Sequence, residues 1–442
     1  MEPEGDVTNP AALDPQALGF MCGIEVHQQL ATGKLHSRQP GELHDITIDT
    51  LPDDWKRYER KLRSSSGESG EVDIAARFEE RRNRSFVYCQ APNAGLIELD
   101  EQPPLPHDSD ALEIALTVSG MLSAHPVPLL QTMRKTVVDG SNTSGFQRTT
   151  LVATDGVLET ENGPVGIDVL CLEEDSARKL SSELSSEGEI VTWNLDRLGI
   201  PLIEIATAPD VKSPTHAKQT SIALGRTLRD TRKVRRGLGS IRQDLNVSIM
   251  CGDRVEIQGC QDLERSPKII RCEMARQLHF YRLANNLREQ NNLPKLSHDR
   301  NVESPSVKDA VSNLLKLDII DVTPAFESCD SQRVTAGIKS GSVMLALPLP
   351  GFNGLIGSKE FDSDGAQLPR LGRELAGAAK LAGVAGVYHS DELPAYGIDQ
   401  ECVDSVQQLL NEGDAFVLCL APKWQAQFCL LYTSDAADES VR

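Results

Sequence analysis

Aromatic residues are scarce in this 442-residue chain, at 4%, and positive charge falls well short of negative: 45 lysines and arginines face 65 aspartates and glutamates, a formal net charge of −20. Such a deficit argues against a protein coated by nucleic acid, so any contact with RNA must come from a local basic patch. Long apolar runs are missing as well. The longest, such as Val343 to Leu349, are strand-sized and broken by Pro348, well under the roughly 18 residues of a membrane span. The amino terminus, with Glu2, Glu4 and Asp6, lacks the basic and then apolar regions of a secretory signal, which leaves the cytoplasm as the expected compartment and no membrane as a partner. None of the ten cysteines is spaced as C-x-x-C, which excludes a zinc ribbon and a thioredoxin motif; they read as buried free thiols. There is no G-x-x-x-x-G-K-[ST], no G-x-G-x-x-G after a strand and no G-x-S-x-G elbow. P-loop, Rossmann and hydrolase-type sites therefore have no anchor, and use of ATP would need another scaffold.

What is present is ordinary for a globular protein: 39% hydrophobic and 25% charged residues, in a chain long enough for roughly three domains. Residues 1–18 are acidic, contain proline and show no period, and read as a loose leader. From residue 19 to about 320 the pattern is mainly strands, with a Ser/Gly/Glu-rich loop expected at 64–71. A helix is expected to start at Asp108 to Asp110 and stop at Gly120. Ser213-Pro214, an N-cap followed by an N1 proline, opens another that runs to about Arg235. Leu245 to Met250 and Val255 to Ile257 flank a turn at Cys251-Gly252-Asp253 and read as a hairpin. Near 320 the composition changes to strands interleaved with helices and Gly-rich turns, a separate α/β module over 321–430. From Leu431 the chain resembles a translated sequencing-adapter sequence, so 431–442 is set aside and the natural protein is expected to continue beyond Phe428.

The residues with chemical promise are acids at strand ends. Alternation over 22–30 puts Glu25 and His27 on one face of a strand and Ile24 and Val26 on the other. Glu173-Glu174-Asp175 follows the apolar strand 166–172, and Glu204 sits inside Pro201-Leu-Ile-Glu-Ile-Ala206. A lone carboxylate in such a strand must be paired, hydrogen-bonded, bound to a cation or turned to a wet face. Acids with one histidine could hold Mg²⁺, although histidine is an unusual ligand for so hard an ion.

Several segments together resemble one family. Gly23-Ile-Glu-Val-His-Gln-Gln-Leu30, Arg134-Lys135, Asp139 to Arg148, Leu172-Glu-Glu-Asp175, Leu195 to Ile205 and Ser240-Ile-Arg-Gln-Asp-Leu-Asn-Val-Ser248 are similar to the E-type subunit family of the archaeal glutamyl-tRNA(Gln) amidotransferase, related to the B-type subunit of the bacterial-type enzyme. Pro348 to Leu355 and His389 to Gly397 look like the insertion that the E-type subunit shares with bacterial aspartyl-tRNA synthetases. The resemblance covers about residues 19–430 and implies an α+β fold. A catalytic cradle domain over 19–320 has a mixed, mostly antiparallel sheet, and the aspartyl-tRNA-synthetase-like α/β insertion domain occupies 321–430. It also implies an activity: ATP and Mg²⁺ are used to phosphorylate the γ-carboxylate of glutamate esterified to tRNA(Gln), and ammonia then displaces phosphate. The ammonia is expected from an asparaginase-like glutaminase, the D-type subunit, in a heterodimer that forms a heterotetramer. An alternative is that a chain lacking the remaining domains acts only in tRNA docking and assembly.

Carried over position by position, Glu25, His27, Glu174 and Glu204 match the family's metal ligands and catalytic centre. Ser141, Asn142 and Ser144 could line a phosphate or ribose, or form a tight loop. Arg148, Arg178, Lys179 and Arg242 are candidate phosphate contacts or merely solvated charges. Arg229, Lys233 and Arg236, on one face of the expected helix, are candidates for tRNA phosphates. Relatives in the B-type branch have a Cys-x-Cys after the first motif; here Ser37 and Gln39 stand there, so no zinc is expected.

Overall fold

The computed structural model describes residues 3–61, 84–185, 188–297, 304–314, 318–357, 370–410 and 415–431; the expected loop at 64–71 and residues 432–442 lie outside them. Two compact bodies are present. One comprises residues 21–247 and 255–267, the other 1–20, 248–254 and 268–442.

In chain order the first body is built from β1 (Met21–Gln29), β2 (Arg57–Lys61), β3 (Arg84–Cys89), α1 (Ser109–Met121), β4 (His125–Pro126), β5 (Thr132–Thr136) and β6 (Phe146–Leu158). It continues with β7 (Val165–Glu174), β8 (Arg178–Ser185), β9 (Gly188–Asn194), β10 (Pro201–Thr207), α2 (Pro214–Asp230), β11 (Ile241–Ser248) and β12 (Val255–Ile257). An eight-stranded sheet runs β12-β11-β1-β10-β7-β6-β4, with β5 also on β6. β1, β7 and β6 follow one another around β10 in antiparallel register. A second sheet, β2-β3-β9-β8, contains the parallel pair β3·β9. Mixed but mostly antiparallel pairing is thus what the chain forms.

Alternation decides what the large sheet buries. Ile24, Val26, Ile203, Ile205, Leu170 and Leu172 are at most 1% exposed and share a face through the register Val26↔Ile205 and Ile205↔Leu170. Helices α1 and α2, which pack on each other and on β1, β6 and β7, meet them with Ile114, Ala115, Val118, Leu224 and Leu228. Both helices begin at the caps expected: the Asp108 carboxylate accepts from the Ala111 N–H at 2.9 Å, and Ser213 Oγ from the His216 N–H at 3.1 Å. The end of α2 differs from expectation. It stops at Asp230, not near Arg235, because the next residues leave to pair with the end of β1: Leu30 bridges Val234, and the Ala31 N–H donates to the Lys233 carbonyl at 2.8 Å. Arg229, Lys233 and Arg236 therefore do not share a helical face.

The second body holds α3 (Ser266–Gln290), α4 (Pro305–Leu314), β13 (Ile320–Asp321), α5 (Gln332–Lys339), β14 (Val343–Pro348), α6 (Leu371–Leu381), β15 (Tyr388–His389), α7 (Gln400–Leu410) and β16 (Phe416–Ala421). Its sheet, β13-β14-β16-β15, is antiparallel throughout. The continuous apolar run over 343–349 has a simple cause: both faces are covered. Leu345, Leu347, Val417 and Cys419 pack with Leu371 and Leu375, while Met344, Ala346, Phe416 and Leu418 pack with Val334, Val403 and Val406. The leader is corrected by the structure. Leu13 and Leu18 are buried, and Arg271 and Arg282 of α3 donate to the carbonyls of Ala11 and Gly5 at 3.0 and 2.9 Å. A short segment without a period of its own is thus held by the side chains of another element. Eight of the ten cysteines are buried.

Candidate functional site

The face of the large sheet opposite the two helices is polar, and register brings its acids together. β1 pairs β10 with His27 opposite Glu204, and β10 pairs β7 with Glu204 opposite Cys171. Residues directly opposite share a face, so Glu25, His27, Glu204, Cys171 and Glu173 point the same way. Glu174, one residue on from Glu173, points the other way. Ligand atoms of Glu25, His27 and Glu204 all lie within 4.8 Å of one another.

His27 sits between two carboxylates. Its Nε2 is 2.9 Å from Glu25 Oε1, and its Nδ1 is 2.9 Å from Glu173 Oε1. Burial alone would lower the imidazole's proton affinity, but the hydrogen bonds to Glu173 and Glu25 and the nearby negative charges raise it to about 10. A protonated ring would donate to both carboxylates, one from each nitrogen. Glu204 is pushed up to about 7, first by burial and then by repulsion from Glu173. Glu173 goes the other way: the His27 hydrogen bond and the charges of His27 and Lys135 outweigh its burial and hold it low. Lys135, on the exposed strand β5, brings its ammonium to 3.6 Å from Glu204 and 3.8 Å from Glu173.

Glu204 Oε2 is buried and, with the Lys135 ammonium at 3.6 Å, has an ion-pair partner but no hydrogen bond. Two carboxylates and an imidazole within one ion's reach form a donor set that fits a divalent cation. Glu173 would then play the outer role, holding the Nδ1–H so that Nε2 is the nitrogen offered.

Glu174, expected at this centre, is not part of it. Its carboxylate receives the Arg148 guanidinium at 3.1 and 3.2 Å, each residue being the chain neighbour of one member of the Thr149↔Glu173 pair. Burial pushes the Glu174 carboxyl up, against the pull of Arg148. Arg148 is thereby occupied, and it also lies over the Phe146 ring at 5.3 Å. The other candidates are dispersed. Ser141, Asn142 and Ser144 lie in the loop between β5 and β6, where Asn142 Nδ2 and Ser144 Oγ both donate to the Phe146 carbonyl at 2.9 Å; this is the tight-loop arrangement. Arg178 is tied to Asp196 and Asp45, each at 3.3 Å, and to the His44 carbonyl. Lys179 is exposed on β8. Arg242 is held at 3.4 Å by Asp175, a buried carboxylate that also accepts from Gln29 Nε2 at 2.7 Å. Ser37 donates to Glu98 at 2.5 Å.

Sequence reasoning carried Glu174 rather than Glu173 into the centre and gave Lys135 no role there. Two adjacent glutamates on a strand must face opposite ways, which is a visible signal; which of them faces the histidine depends on register, which is not.

A family model described as the GatB/GatE catalytic domain matches residues 20–312. The chain belongs to that family. Its relatives include proteins named as the E-type subunit, GatE, of glutamyl-tRNA(Gln) amidotransferase. The one from Pyrococcus abyssi is 43% identical over 429 residues, covering 96% of this chain and 62% of that protein. That from Sulfurisphaera tokodaii is 40% identical, covering 97% and 65%, and that from Methanosarcina acetivorans 41%, covering 97% and 62%. The chain thus spans about three-fifths of the length of these GatE proteins. Among the described residues no helix is long and apolar enough to cross a membrane.

Proposed function

We propose that this chain is the ATP-using subunit of an amidotransferase that converts glutamate esterified to tRNA(Gln) into glutamine. The observation that carries the reading is the convergence of Glu25, His27 and Glu204 on one sheet face, in a chain whose relatives bear the name of that amidotransferase. In the reaction, the glutamyl γ-carboxylate attacks the terminal phosphorus of ATP and ADP leaves. Ammonia then attacks the resulting acyl phosphate, loses a proton, and phosphate departs. Little covalent work falls to the protein, which must position the reactants and neutralise charge.

Glu25, His27 and Glu204 would hold Mg²⁺, which when bound offsets phosphate charge. Glu173 fixes the ring of His27, and Lys135 brings a second positive charge to the same place. Arg242, braced by Asp175 at 3.4 Å, is available to an anion on that side of β1. The ammonia comes from an asparaginase-like glutaminase partner, and residues 321–430 are read as the synthetase-like insertion. The test is ATP hydrolysis by the chain together with the glutaminase, dependent on Glu-tRNA(Gln). Glu204→Gln should slow it by on the order of 100-fold, the scale of losing one electrostatic partner of the transition state. Binding of tRNA without any ATP turnover by the unsubstituted chain would overturn the ligase reading in favour of a docking and assembly role.

A further inference from the structure

The segment that follows β1 and the segment that precedes α1 are fastened to each other through backbone and imidazole. The His36 carbonyl accepts from the Leu105 N–H at 2.9 Å, and the Leu35 carbonyl from the Asp108 N–H at 2.8 Å. In return the His36 Nδ1–H donates to the Leu105 carbonyl at 2.9 Å. That bond fixes the tautomer of the neutral ring and leaves its lone pair on Nε2. Nε2 is buried and has no hydrogen-bond partner among the described residues. The His107 ring lies against this one, centroids 4.8 Å apart and planes tilted by 54°. His107 reaches on into the sheet: its Nε2 is 2.8 Å from Thr150 Oγ1 on β6, which is 3.0 Å from Thr132 Oγ1 on β5.

Neither ring is placed to carry charge. His36 is 4% exposed. Burial lowers its proton affinity, the Arg148 guanidinium of β6 lowers it further, and the Leu105 carbonyl pulls the other way. Arg148 is itself paired with Glu174 of β7 at 3.1 Å. The half-buried His107 is lowered by burial and then by His36. Asp108, next to it in sequence, turns its carboxylate to the Ala111 N–H of α1. Among the described residues no carboxylate answers a proton on either ring, in contrast to His27 between Glu25 and Glu173. A proton added to His36 must go to Nε2, where it makes a buried N–H with no acceptor, and a second proton on His107 repels it.

We propose that His36 and His107 form an acid-released clasp, closed while both rings are neutral and opened when they take up protons, which frees the start of α1 and strand β5. β5 also carries Lys135, whose ammonium stands 3.6 Å from Glu204, so on the reading of the cation centre given above the clasp couples acidity to the charge there. An opened segment binds protons near the ordinary histidine value of about 6.5, and the closed one does not. Closure is therefore favoured above that value and lost as pH falls below it. Two such rings favour opening by up to about 100-fold for each pH unit below it, and one ring by about tenfold. The experiment is hydrogen exchange on the full 442-residue chain from about pH 8 to about pH 5, read as protection factors, with the histidine ring signals followed by NMR. The amides of Leu105, Asp108 and β5 should lose protection with that dependence, while those of β16 in the other body keep theirs. His36→Phe, which keeps a flat ring against His107, and His107→Gln, which still reaches Thr150, should each reduce the dependence to about tenfold per pH unit. In His36→Phe the remaining ring should also titrate at a higher pH than in the unsubstituted chain. Rings that titrate at or above the ordinary value, or a loss of protection identical in all three chains, overturn the clasp. Loss at Leu105 and Asp108 with β5 still protected overturns its coupling to Lys135 and leaves the proposed ATP-using reaction as it stands.

Discussion

Glu173 and Glu174 are chemically identical neighbours with unrelated surroundings, and single substitutions should separate them. Glu173→Gln removes the charge that orients His27 and should weaken Mg²⁺ or Mn²⁺ binding roughly 10- to 100-fold, the usual cost of losing an outer-sphere carboxylate; calorimetric titration reads this directly. Glu174→Gln leaves a buried guanidinium without its counter-charge and should cost about 3 kcal/mol of stability while cation affinity stays as it was. The reverse pattern would restore Glu174 to the centre. Lys34 offers a test away from the site. It is fully buried, donates to the Leu195 carbonyl at 3.2 Å and lies 3.8 Å from Glu98. Burial lowers its proton affinity, against the pull of Glu98 and Asp196, from 10.5 to about 8. Between those values the unfolded chain holds the proton and the folded chain does not, so this lysine makes stability rise with pH. Relative to the unsubstituted protein, Lys34→Met should lose that rise, at most about 3 kcal/mol, in denaturant titrations across that window.

At the scale of elements, the loop between β5 and β6 shows how local backbone demands are met. Gly140 and Gly145 both have positive φ, +85° and +76°, but their surroundings differ. A Cβ at Gly140 would collide with the Phe86 ring, whereas one at Gly145 meets nothing within 4 Å. Gly145→Ala should therefore cost only the left-handed backbone penalty, ~1 kcal/mol. Gly140→Ala should cost more than twice that and disturb the 2.7 Å bond from Tyr88 Oη to the Gly140 carbonyl; thermal melts of the two variants test the difference. The helix starts were legible because a cap is a local event: Asp108 and Ser213 act on N–H groups three residues away. The end of α2 was not, because what stops it is Leu30 and Ala31, some two hundred residues earlier in the chain.

For the whole molecule, the surplus of 20 negative charges sets a global response. Self-repulsion of the folded state weakens as salt shortens the Debye length from about 30 Å at 0.01 M to about 8 Å at physiological strength. The melting temperature should climb over that range in a sodium chloride series, with Mg²⁺ adding a further rise at low concentration if it binds Glu25, His27 and Glu204. A melting temperature that falls with salt would mean that the ion pairs outweigh the net repulsion.

Alternation and short motifs were enough to find the two-sided strand with Glu25 and His27 and the apolar strand carrying Glu204, and the resemblance of the motifs to one family implied the mixed, mostly antiparallel architecture. The two strands depend on residues close together in sequence and on side-chain period, which a chain displays without folding. What the fold alone decided is which distant residues meet. The register of β10 against β1 and β7 chose Glu173 over Glu174, and the register of β6 against β7 and β5 turned Lys135 toward the acids and gave Arg148 to the opposite face. A one-residue slip would reverse every one of those assignments, and pairing energy summed over whole strands, which no local segment encodes, is what prevents the slip.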